Sequence, residues 1–127
     1  MNFQSMKHLK TKRLAKKLPY DMLEEIFKRQ LQLNQKFDYW GTGQEKLTKE
    51  FSLAIISEVG ELLDQVNWKV WKKQYKAVDV EELRYELIDI FIFTITLMQV
   101  WKMDSKDLMK YYLAKTGENH ARIKRNY

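Results

Sequence analysis

The sequence predicts an all-α fold, a bundle of four to five helices, and three observations carry that expectation. Apolar residues recur every three to four positions through most of the chain, the period of a helix with one buried face. Only four Gly and one Pro punctuate the 127 residues. The stretch from Val80 to Trp101 contains neither, so one long helix can occupy it. With 45% hydrophobic residues at this length, a single domain is expected over residues 20 to 127, preceded by a basic arm over 1 to 19.

Taken in order, the arm has no sustained apolar period and carries six basic residues and no acidic one before Tyr20. Pro19 ends it. Asp21-Met22-Leu23-Glu24 then resembles a capping box, and Leu23, Ile26, Phe27, Gln30, Leu31, Asn34 and Phe37 follow at helical spacing, giving a first helix over about 21 to 38. Gln30 and Asn34 lie one turn apart on its inner stripe. Amides there must find partners, so they are either satisfied core groups or readers of a bound base edge. Residues 38 to 45 form the loop that holds Gly41-Thr42-Gly43. Without a preceding strand or a Lys-Ser/Thr pair this is a turn and not a phosphate loop. Its Tyr39 and Trp40 either fringe a pocket or plug the end of the bundle.

A second helix is expected over about 46 to 68, with Leu47, Phe51, Ala54, Ile55, Val59, Leu62 and Val66 as its apolar stripe. It runs into Asn67-Trp68-Lys69-Val70-Trp71-Lys72-Lys73. Tryptophans interleaved with lysines suit stacking on a base beside contacts to phosphates, and equally suit core packing. After a linker over 74 to 78, Asp79, Glu81 and Glu82 open a third helix that continues to about Lys102. Between Leu87 and Val100 it is apolar on nearly every side, as a central helix or an oligomer seam would be. Ser105 is expected to cap a fourth helix over about 106 to 115, ended or bent at Gly117. Should the helix persist, Lys115, Asn119 and Arg122 share one side, as a triphosphate clamp or as a solubilising basic end.

The chemistry concentrates in Glu58-Val59-Gly60-Glu61 and Glu86-Leu87-Ile88-Asp89. At this spacing each pair projects from one helical face, and two antiparallel helices would bring four carboxylates together. Such a group needs a canceller of its repulsion. Mg²⁺ fits, because it takes oxygen ligands, keeps waters and bridges substrate phosphates. Asp89 lies within an apolar run, where a charge without a partner would be costly. Solvated acidic pairs are the plainer alternative.

Composition narrows the rest. There is no Cys, which excludes disulfides and thiolate metal sites and is compatible with a reducing cytoplasm, the expected location. His8 and His120 are too few for a zinc centre. The longest apolar run, Leu87 to Trp101, is broken by Asp89 and is shorter than the ~20 residues a membrane span needs. No apolar segment follows the basic N-terminus, so no secretory signal is expected. The net charge of +6 belongs to the two ends, while residues 21 to 113 carry thirteen basic and sixteen acidic side chains.

Glu58-x-x-Glu61, twenty-four residues, then Glu86-x-x-Asp89 resembles the signature of the all-α nucleoside triphosphate pyrophosphatases, the superfamily of dimeric dUTPases and MazG-like enzymes. The Gln30/Asn34 stripe, the Asn67-to-Lys72 segment and the tail with Lys115, Asn119 and Arg122 are similar to the dimeric dUTPase branch. That resemblance implies a bundle completed by self-association, as a homodimer or a dimer of dimers. It also implies hydrolysis of a pyrimidine deoxynucleoside triphosphate, dUTP first, between its α and β phosphates. Glu58, Glu61, Glu86 and Asp89 would hold two or more Mg²⁺, with Mn²⁺ as a substitute, and Glu58 or Glu61 would act on the attacking water. Lys69, Lys72, Lys115, Arg122 and Lys124 would contact phosphates, and Gln30, Asn34, Trp68 and Asn119 the base or sugar. Position 92 is Ile where that branch commonly has His three residues after the last acid, and the chain is short for the branch. dCTP and a broader MazG-like range therefore stay open. From another class, a basic helical nucleic-acid-binding module would depend on the arm and not on the acids, and a bundle without any ligand is the third reading.

Overall fold

A computed structural model describes residues 21–73 and 76–125. The expected basic arm lies outside them. Four helices follow one another among the described residues, α1 (Met22–Asn34), α2 (Gln44–Asp64), α3 (Val80–Val100) and α4 (Ser105–Lys124). There is no strand among the described residues, in agreement with the all-α expectation. α3 is the hub. It packs along α2 and against α1, while α4, among the described helices, packs on α1 alone.

α1 starts where Asp21 accepts the Glu24 N–H at 3.0 Å, and Glu24 and Glu25 place negative charge in its first turn. It stops four residues short of the expected end. Lys36 and Phe37 reach back only three residues, to Leu33 and Asn34, which tightens the chain into a turn. The following loop needs its glycines. Gly41 and Gly43 have φ of +87° and +134°, where side-chain-bearing residues are strained. Phe37 stacks on Tyr39, Tyr39 meets the edge of Phe51, and Phe51 packs on Phe93, so an aromatic series pins this loop to α2 and α3.

α2 and α3 run antiparallel in a constant register. Gln44 at the start of α2 donates to the Val100 carbonyl at the end of α3, at 3.0 Å, and Phe51 faces Phe93 halfway along. Between these ties lies the core of Leu47, Phe51 and Val100, with Tyr39, Trp40, Ala54, Phe93 and Leu97 against it. Continued along both helices, the register sets Glu58 opposite Glu86 and Asp89.

Two boundaries differ from the expectation. α2 ends at Asp64 and not near Trp68, because the Asn67 amide accepts the Lys76 N–H at 3.2 Å and donates to its carbonyl at 2.8 Å. A side chain that satisfies backbone groups in this way competes with helix continuation. α4 runs through Gly117 to Lys124, and its cap is Asp104, not Ser105. Asp104 accepts the Asp107 N–H at 2.9 Å while Asp107 accepts that of Asp104 at 3.0 Å, a reciprocal capping box. One chain leaves much apolar surface uncovered, including Leu53 and Ile56 on α2, Leu87 and Ile88 on α3, and Tyr112 and Leu113 on α4. No helix among the described residues is long and apolar enough to cross a membrane.

Candidate metal-binding active site

Glu58 on α2 meets Glu86 and Asp89 on α3, each offering a carboxylate oxygen within 4.8 Å of the others. All three are half-buried. The i, i+3 spacing on α3 and the antiparallel register with α2 bring this about, as the sequence leads one to expect. Glu61, one turn along α2, is exposed and stands outside the group of three, yet its carboxylate lies close enough to act on both Glu58 and Glu86.

The electrostatics are those of a site held in tension. Burial, followed by the carboxylates of Glu61, Asp89 and Glu86, pushes the Glu58 carboxyl from its ordinary 4.5 up to about 7. Glu86 is raised as well, first by burial and then by the charges of Glu61 and Asp89, against an opposing hydrogen bond from Glu58. The Oε2 atoms of Glu58 and Glu86 are both buried and make no hydrogen bond with the described residues. Buried oxygens without a donor are rare in folded proteins. Two of them on carboxylates that face a third acid fit a hard divalent cation such as Mg²⁺, whose ligands are carboxylate oxygens and water.

Past the end of α2, Asp64, Asn67, Trp68, Lys69, Lys72 and Lys76 line an open pocket of about 430 Å³. Here Trp68 sets its ring edge-on to Trp71 at 5.7 Å, and the Lys69 ammonium lies 5.4 Å from the Trp68 ring centre. Lys69, Lys72 and Trp68 thus share one pocket, on a loop rather than on the expected helix end.

A model of the dUTPase family matches residues 22–99, the span that holds the carboxylates and the lysine-bearing loop. The chain belongs to the all-α dUTPase family. A protein of Enterobacteria phage LZ5 named dCTP pyrophosphatase is 34% identical over 71 residues, covering 47% of this chain and 41% of the relative. The match thus spans well under half the length of that relative. No solved structure matches significantly.

Within this dUTPase-family site, two groups of expected residues stand apart from the carboxylates. Asn34 is 2% exposed, and its amide is taken up inside the protein by Gln30, Thr96 and Gln99. Without a ligand, the hydrogen-bonding groups of Asn34 are thus engaged inside the protein, which is the satisfied-core alternative of the two that the sequence leaves open. Gln30 is half-buried at the margin of the same network. Lys115, Asn119, Arg122 and Lys124 lie on α4, which touches neither α2 nor α3, and Arg122 is 3.4 Å from Glu118. One copy of the chain therefore does not bring the tail to the carboxylates. Thr96 and Gln99 escaped the sequence reading, although two polar residues three apart in the most apolar stretch of the chain are the signal that could have found them.

Proposed function

We propose that this chain is a Mg²⁺-dependent pyrophosphohydrolase that cleaves a pyrimidine deoxynucleoside triphosphate between its α and β phosphates. The products are the monophosphate and pyrophosphate. The observation that carries the reading is the convergence of Glu58, Glu86 and Asp89 with two buried, unbonded carboxylate oxygens. Membership of the dUTPase family favours dUTP, and the name of the phage relative makes dCTP the second candidate.

In this reading Glu58, Glu86 and Asp89 hold the metal, and Glu61 completes the set from the solvent side. Bound there, Mg²⁺ supplies Lewis acidity toward phosphate oxygens and water. Glu58 orients the attacking water and takes its proton. Lys69 and Lys72 neutralise the phosphate chain, and Trp68 offers a ring face to the base. Gln30 reads the base edge. The tail residues Lys115, Asn119, Arg122 and Lys124 join only as a second copy delivers them, and self-association also covers the apolar residues left bare on α2, α3 and α4.

The test is pyrophosphate release from a panel of deoxynucleoside and nucleoside triphosphates with Mg²⁺, comparing the wild type with Glu86→Gln. Cleavage of a pyrimidine substrate that disappears in the variant is the expected result. A folded wild type that cleaves no nucleotide with Mg²⁺ or Mn²⁺ refutes the proposal.

A further inference from the structure

The polar network between α1 and α3 has a direction. The main-chain carbonyl of Phe27 can only accept a hydrogen bond, so the Gln99 amide that meets it at 2.8 Å must present its Nε2. Gln99 Oε1 is then turned to Asn34, which answers with Nδ2 at 3.0 Å and gives its other N–H to Thr96 Oγ1 at 3.1 Å. With both donors of Asn34 used, its Oδ1 is what remains for Gln30, whose Nε2 meets it at 3.0 Å and lies 3.5 Å from Thr96 Oγ1. Reversing any one amide would set like groups against each other. The backbone carbonyl thus dictates the orientation of three side chains in succession.

Gln99, Asn34 and Thr96 are buried, and Gln30 alone of the four side chains is half-buried. Its N–H groups point into the network, while its Oε1 accepts no hydrogen bond from the described residues. Thr96 stands seven residues beyond Asp89 on α3, two turns along the same face and about 10 Å along the axis. The network and the carboxylates therefore flank one side of α3.

We infer that Gln99 is a positioning residue, which through Asn34 holds Gln30 with its carbonyl outward, so that this contact selects a base edge offering an N–H donor. The inference rests on Gln30 being a base contact of the proposed pyrophosphohydrolase. On uracil the donor is the ring N3–H, and on cytosine the N4 amino group.

The experiment combines side-chain amide hydrogen exchange by NMR on the full chain with kcat/KM for dUTP and dCTP. In the wild type the Gln30 amide protons should exchange at least about tenfold more slowly than those of exposed glutamines. Gln99→Met should abolish that slowing and lower the ratio of kcat/KM between the preferred and the other pyrimidine by about tenfold, whereas Phe51→Leu, in the core outside the network, should leave the ratio unchanged. A methylated substrate checks the contact without any variant, N3-methyl-dUTP if dUTP is preferred and N4,N4-dimethyl-dCTP if dCTP is. At least a tenfold loss is expected. Freely exchanging Gln30 protons in the wild type overturn the relay. Slowed protons with an unchanged ratio in Gln99→Met, or a methylated substrate cleaved normally, overturn the recognition role and leave the pyrophosphohydrolase standing. If no nucleotide is cleaved at all, the proposed function fails and the base contact falls with it.

Discussion

The amides between α1 and α3 and the carboxylates between α2 and α3 share one helix and lie two turns apart, yet only the amides close on themselves. Asn34, Thr96 and Gln99 are almost fully buried and hydrogen-bond to one another, to Gln30 and to a backbone carbonyl. Glu58 and Glu86 instead bury oxygens with no donor among the described residues, and burial together with the charges of Glu61 and Asp89 pushes the protonation of both upward. The fold itself satisfies the buried amides, whereas it leaves the buried carboxylate oxygens open, as the proposed metal site requires.

The largest effect that would sharpen this contrast is on turnover. Glu86→Gln should lower pyrophosphate release by on the order of 10²- to 10³-fold, the scale of losing a key electrostatic contact at a reacting centre. In the same variant the metal-free protein should be as stable as the wild type or more so, since a repulsion has been removed, and Mg²⁺ should no longer raise its melting temperature as it does in the wild type. Asn34→Ala should do the opposite in urea unfolding and lose about 2–4 kcal/mol, because it opens a cavity and strands buried partners on Gln30, Thr96 and Gln99. Equal destabilisation by the two substitutions would break the comparison.

A smaller effect is expected from pH. The folded-state value of Glu58 is raised from 4.5 to about 7, so the folded protein binds that proton more tightly than the unfolded chain does. The associated stability is complete below the unfolded value and is lost as pH rises through about 7. Without metal, the protein should therefore melt a few degrees higher at pH 5 than at pH 8, and Mg²⁺ should narrow that gap by stabilising the pH 8 form. A higher melting point at pH 8 without metal would show that the carboxylates do not crowd one another. Gly117→Ala supplies the baseline for all of these. An added Cβ meets nothing within 4 Å, and removing a glycine from a helix interior should add about 0.5–1 kcal/mol in the same urea assay.

Much of this was legible in the sequence where a pattern repeats. The period of three to four residues gave four helices, and the paired acids at i, i+3 announced Glu58, Glu86 and Asp89 as neighbours. What escaped depended on single side chains acting across the fold. The end of α2 is set by the Asn67 amide gripping Lys76 nine residues on, which no periodicity records. From the sequence Asn34 is either a satisfied core amide or one that reads a ligand, and only the partners Thr96 and Gln99, more than sixty residues away, show that the fold itself engages it. The persistence of α4 through Gly117 was likewise hidden, because one glycine lowers helix stability without forbidding the helix.

That last helix has a consequence of its own. α4 is 20 residues long, buries no side chain fully and, among the described helices, leans on α1 alone, so little of its stability comes from packing within the described residues. Under the proposed self-association, in which a second copy covers it, its order becomes a matter of mass action. Dilution would then unwind the C-terminal turns before anything else, so that the helix content of the tail reports how many copies are present, and any step that needs Lys115 or Arg122 would quicken more steeply than in proportion to the protein added.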